Sequence, residues 1–135
     1  MIRKRSQIYG EHPEFWSCTE GKSLHVDSVV NAARLVATGE AEAFHICVSG
    51  VTAAGVTLPM LGIFVWQDTI ELDYRMGADW GPAQVVGFFE LLWDCCDCDS
   101  KATVVPADCE GPPFPDRFMD AWNYFKAQKQ QRTKG

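Results

Sequence analysis

An α+β domain is the fold class that the sequence predicts, with an antiparallel sheet of three to four strands and helices mainly on one sheet face. Three observations predict it. Residues 61–76 alternate apolar and polar side chains on either side of a short turn, and residues 81–96 carry apolar side chains three and four apart behind a helix-start signal. Hydrophobic residues make up 47% of 135, including five Trp and eight Phe, which is enough for one core without help from disulfides or a metal. The expected order is α-β-β-β-α-(β)-α in a single domain spanning 1–135, with 1–10 and 128–135 as disordered tails.

The elements follow in order. From Leu24 to Thr38 the apolar positions Val26, Val29, Val30, Ala33, Val36 and Ala37 recur at helical spacing, with Ser23 as N-cap and Gly39 as the stop. Ala43 to Val51 alternates Phe44, Ile46 and Val48 against His45, Cys47 and Ser49, a half-buried strand. Residues 51–55 are small and read as a loop. Leu58 to Trp66 and Thr69 to Met76 then form a hairpin around Gln67 and Asp68, with Pro59 near its start, where a missing donor is tolerable.

Period two divides that hairpin into unlike faces. Ile63, Val65, Ile70, Leu72 and Tyr74 share one, a core face. Phe64, Trp66, Thr69, Glu71, Asp73 and Arg75 share the other, where two large aromatics stand beside three charges, a mixture found at the centre and rim of protein interfaces.

Gly81 at N-cap, Pro82 at the first helical position and Gln84 at the third start the second helix, with Trp80 expected to staple onto Val85. Its stripe of Val85, Phe88, Phe89, Leu92 and Cys96, flanked by Trp93, is expected across the core face of the sheet. Ala102 to Pro106 is β-branched enough for an edge strand, and Cys109 to Pro115 is a proline-rich connector. A last helix from about Asp116 to Gln130 presents Phe118, Trp122 and Phe125 on one side before a polar, fraying end.

Charge narrows the function. All 18 acidic residues lie between Glu11 and Asp120, whereas seven of the 12 basic ones lie near the termini, so residues 6–125 carry five basic against 18 acidic groups, or −13. Such a body repels nucleic acid and anionic membranes and attracts cationic partners. No apolar run reaches the ~20 residues of a membrane helix, and the basic cluster at Arg3, Lys4 and Arg5 leads into Ser6 and Gln7 instead of an apolar signal core. A cytoplasmic protein is expected, with its six cysteines mostly free thiols.

The chemistry-bearing groups point to binding more than to catalysis. Cys95 and Cys98 have a zinc-knuckle gap, but a second close ligand pair is missing and the flanking aspartates raise thiol pKa values, so neither a metal nor another cofactor is expected. His45 and Cys47 share a strand side at ~7 Å, beyond the about 3 Å that proton transfer between them requires. The expected binding surface is Phe64, Trp66, Glu71, Asp73 and Arg75, joined by His45 if its strand pairs with the hairpin. Its partner is expected to be a basic protein or a second copy of the chain. The alternative is a small-molecule or enzymatic pocket near His45, Asp73, Arg75 and Trp80, or a small cleft between Arg75, Asp79 and Trp80 for a polar ligand.

The segment from Gly62 to Leu92, with Gly62, Ile63, Phe64, Asp68, Leu72, Asp73, Tyr74, Arg75, Met76, Gly77, Trp80, Phe88 and Leu92, resembles small bacterial proteins of the immunity-protein or mobile gene-cassette type. That resemblance implies inhibition by direct binding. It covers under a quarter of the chain and carries no catalytic motif.

Overall fold

The computed structural model describes residues 7–9, 13–75, 77–99, 101–107 and 114–134. Along the chain come β1 (Gln7–Tyr9), β2 (Glu14–Ser17), β3 (Lys22–His25), a 3-10 turn at Val26–Ser28, α1 (Ala32–Ala37), β4 (Phe44–Ser49), β5 (Thr52–Ala53), β6 (Val56–Thr57), β7 (Leu61–Val65), β8 (Ile70–Tyr74), α2 (Pro82–Asp97) and α3 (Pro115–Lys134). The fold is α+β, built on a four-stranded sheet of order β1-β4-β7-β8 whose neighbours are all antiparallel. The pairs β2-β3 and β5-β6 are separate two-stranded ribbons.

The β7-β8 hairpin forms in the register that its alternation requires, but Ile70, expected on the core face, is 57% exposed at the start of β8. Leu61 faces Tyr74, Ile63 faces Leu72 and Val65 faces Ile70, and the Trp66 N–H donates to the Thr69 carbonyl at 2.9 Å across Gln67 and Asp68. On the other side of β7, Phe44, Ile46 and Val48 of β4 face Val65, Ile63 and Leu61. These six β4 and β7 residues are buried, and with Phe88, Phe89, Leu91 and Leu92 of α2 they form the core.

Helix α2 begins where Gly81, Pro82 and Gln84 place it, with Gln84 Oε1 accepting from the Gly81 N–H at 3.1 Å. Gly87 lets the helix press on the β5-β6 ribbon. A Cβ there would stand 2.8 Å from Val56 Cγ2 and 3.0 Å from Leu58 Cδ2. Helix α3 packs on α2 through Trp122, 1% exposed, and through Phe118 and Phe125, all three rings within 5.7 Å of the Phe89 centroid. A Lys129–Glu90 ion pair at 2.6 Å ties the two helices further along.

Several elements differ from expectation. The first helix is only Ala32–Ala37, because Lys22–His25 is drawn into β3, His25 Nδ1 caps the 3-10 turn by accepting from Asp27 N–H, and Asn31 Oδ1 restarts the chain as N-cap by accepting from Arg34 N–H. The supposed loop after Gly50 is the β5-β6 ribbon, turned at Ala54 and Gly55, both at positive φ. Within the span expected as an N-terminal tail, Gln7–Tyr9 supplies the fourth strand, while Ala102–Pro106 forms none. Trp80 packs on Tyr74 and Phe88, at 5.1 and 5.7 Å between centroids, and Val85, its expected staple partner, is 38% exposed. Helix α3 continues beyond Gln130 to Lys134. Expectations for residues 1–6 and 10–12, and for most of the Cys109–Pro115 connector, fall outside the described residues.

Candidate functional site

The same pairing that buries one face of the sheet gathers the unlike side chains on the other. His45 stands opposite Phe64, Phe64 opposite Glu71, and Gly62 lies between Cys47 and Asp73. Among the described residues both long helices sit on the opposite face, and Trp66 is 42% exposed, with Glu71, Asp73 and Arg75 also exposed and Phe64 half-buried.

Three rings make a continuous strip. Phe64 and Trp66 follow one another on the same side of the β7 line and stack at 4.2 Å between centroids with planes 10° apart. The His45 ring lies 5.5 Å from Phe64, tilted by 38°. Stacking of this kind keeps apolar area together and adds about 0.5–1.5 kcal/mol to what burial alone contributes.

His45 is held from the far side of the hairpin. Its Nε2 lies 3.2 Å from Asp73 Oδ2, so a β4 side chain and a β8 side chain meet above the strand between them. Gly62 is what allows it. A Cβ at that position would overlap the Asp73 carboxylate and stand 2.6 Å from His45 Nε2. The two residues therefore close a clasp over bare backbone, and the clasp holds the imidazole against Phe64. Sequence reasoning placed both residues on this face but missed Gly62. The available signal was a glycine inside an otherwise regular strand, which marks close approach by another group.

Arg75 follows directly after β8, and its carbonyl accepts from Trp80 Nε1 at 3.1 Å. Asp79 is exposed. The alternative pocket is brought together only in part: His45 joins Asp73, whereas the Trp80 ring is turned to Tyr74 and Phe88 on the covered side. Elsewhere, an open depression of about 600 Å3 is lined by residues 52–55, Glu90, Asp94 and Lys129.

The thiols are poor nucleophiles where they are most clustered. Burial first, then the neighbouring Cys98, Cys96 and Asp94, pushes the Cys95 thiol up to about 11, and burial raises Cys96. Cys18, Cys47, Cys95, Cys96 and Cys98 are free, and among the described residues no three His, Cys, Asp or Glu side chains converge as metal ligands. Cys109, the sixth cysteine, lies outside the described residues.

No family model, curated protein or solved structure matches the chain.

Proposed function

We propose that this protein works by binding another protein through the open face of its sheet, with Phe64 and Trp66 as apolar anchors and Glu71 and Asp73 receiving basic groups. The single observation that supports it most is the Phe64–Trp66 stack, 4.2 Å between centroids and partly open to water, on a four-stranded sheet whose other face carries the core. Rigid aromatics lose little entropy when a partner covers them, and aromatic residues are the commonest energetic centres of interfaces.

Charge defines the partner's character. Asp68, Glu71 and Asp73 outnumber Arg75 around the strip, and the body between residues 6 and 125 carries −13, so arginine or lysine side chains are favoured opposite it. An arginine guanidinium is suited twice over, since it can lie on the Trp66 ring and reach Glu71. Arg75 would set register with an acidic group of the partner. The mode of action that follows is occlusion of the surface that the partner presents.

Affinity capture tests this reading. Immobilised wild type, Trp66→Ala and Glu71→Lys, matched in thermal stability, are exposed to one bacterial lysate and the bound proteins identified by mass spectrometry. The expected result is a basic-surfaced protein held by wild type, with Trp66→Ala weakening it by about 2 kcal/mol, roughly thirtyfold in Kd. The same proteins held equally by all three baits would end the proposal.

A further inference from the structure

The outer edge of β8 is unusual for a strand left at the rim of a sheet. Natural edges are blunted by charged side chains, lysine above all, by proline or by a bulge, because unpaired backbone groups recruit other strands. Ile70–Tyr74 has neither lysine nor proline, its two charges are Glu71 and an Asp73 turned inward to His45, and its five residues pair with β7 one for one without a bulge. Among the described residues β7 is its only strand neighbour, and Ile70 at its start is 57% exposed. Since the Trp66 N–H bonds the Thr69 carbonyl, the residues of β8 whose backbone groups face β7 are Glu71 and Asp73. Ile70, Leu72 and Tyr74 direct theirs outward.

We propose that two copies of this chain pair β8 against β8 in antiparallel fashion about a two-fold axis at Asp73, joining their sheets into one of eight strands. This inference rests on the edge and not on the open-face reading. The side chains select the register. In a two-fold antiparallel pair each residue faces one of the same parity, so only a few registers exist. An axis at Leu72 leaves Glu71 opposite Asp73 of the other copy and brings no opposite charges together. An axis at Glu71 sets two Glu71 side chains together. An axis at Asp73 sets Glu71 against Arg75 of the other copy twice and Leu72 against Tyr74 twice.

That register leaves one apparent conflict, Asp73 against Asp73, and the clasp removes it. Each Asp73 carboxylate is drawn back over its own Gly62 to His45, one strand inward from the edge. With strands ~4.8 Å apart, two carboxylates each drawn back by one strand lie on the order of 14 Å from one another, beyond the ~8 Å screening length of physiological salt. The pairing also brings the two open faces into one plane and so doubles the strip of Phe64 and Trp66.

An edge contact of this length is small, so the dimer is weak, with a dissociation constant of about 10–500 µM. Sedimentation of the full chain across that range is expected to show a monomer–dimer equilibrium. Arg75→Glu and Glu71→Arg, each confirmed folded by circular dichroism, are each expected to weaken it about tenfold or more, and the double variant E71R/R75E to restore it. Independently of any variant, amide exchange at Leu72 and Tyr74 is expected to slow as wild-type concentration rises, while Glu71 and Asp73, already bonded to β7, do not change. Trp66→Ala is expected to leave the dimer intact. A chain that stays monomeric throughout, Leu72 and Tyr74 amides indifferent to concentration, or a double variant as weak as the singles would each overturn the proposal. A monomer that still loses its partner on Trp66→Ala would do so while leaving the open-face reading standing.

Discussion

The two faces of the central sheet share strands, backbone and hydrogen bonds, and they differ in what lies across from them. On one side Val48 and Leu61 have no exposed surface, and α2 with α3 behind it fills the space above them. On the other, Trp66 keeps 42% of its surface in water and the largest side chains gather in a strip. Roughly 100 Å2 of indole left wet forgoes about 2–3 kcal/mol that burial would return. The difference teaches that ladder bonding is indifferent to burial. Stability is concentrated on one side of the strands, and the other is released for contact.

Breaking each side in turn makes this measurable. The largest effect is expected from Trp122→Ala, which empties the centre of the α2-α3 contact and should cost about 3–5 kcal/mol in urea unfolding. An effect below about 1 kcal/mol would mean that α3 is not a working part of the core. Next is Gly62→Ala. Its methyl collides with Asp73 and His45, yet both can swing into solvent and alanine removes glycine's entropic cost, so about 1 kcal/mol or less is expected. The sharper readout is the His45 ring, whose NMR shifts should move as the Asp73 contact opens.

Trp66→Ala should be smaller still in stability, within about 1 kcal/mol, although it deletes the largest ring of the open face. A loss comparable to that at Trp122 would mean the strip is structural. The smallest effect concerns Cys95. Below pH 9 its thiol is neutral both folded and unfolded and contributes no pH dependence. Between pH 9 and about 11 the unfolded thiol ionises first, so stability should fall as pH rises through that window, and Cys95→Ala should flatten the fall in Tm. At pH 8, alkylation mapped by mass spectrometry should find Cys18 modified well before Cys95.

How much of this was legible in the sequence depended on the range of the cause. The hairpin and the start of α2 rest on neighbours in sequence, namely the alternation of residues 61–74 and the Gly81, Pro82, Gln84 signal, and both stand where those residues put them. The first helix is shorter than its spacing predicts, for an equally local reason. His25 and Asn31 are capping side chains, and a helical spacing of Val and Ala running past them overstated its length. Strands of two to four residues, such as β2, β5 and β6, are too short for periodicity to register. The open face was legible by parity alone once the hairpin was placed. The His45–Asp73 clasp was not, since it joins residues 28 apart in sequence across an intervening strand and exists only because the position beneath it has no side chain.

One consequence of a sheet packed on a single side concerns inheritance and design. Substitutions at 64, 66, 71, 73 and 75 meet solvent and each other, so they can change together without disturbing the buried aliphatics beneath them. The backbone thereby separates a buried chassis from an editable surface, and the same scaffold could be re-targeted to new surfaces by rewriting five positions while the remainder of the chain is retained.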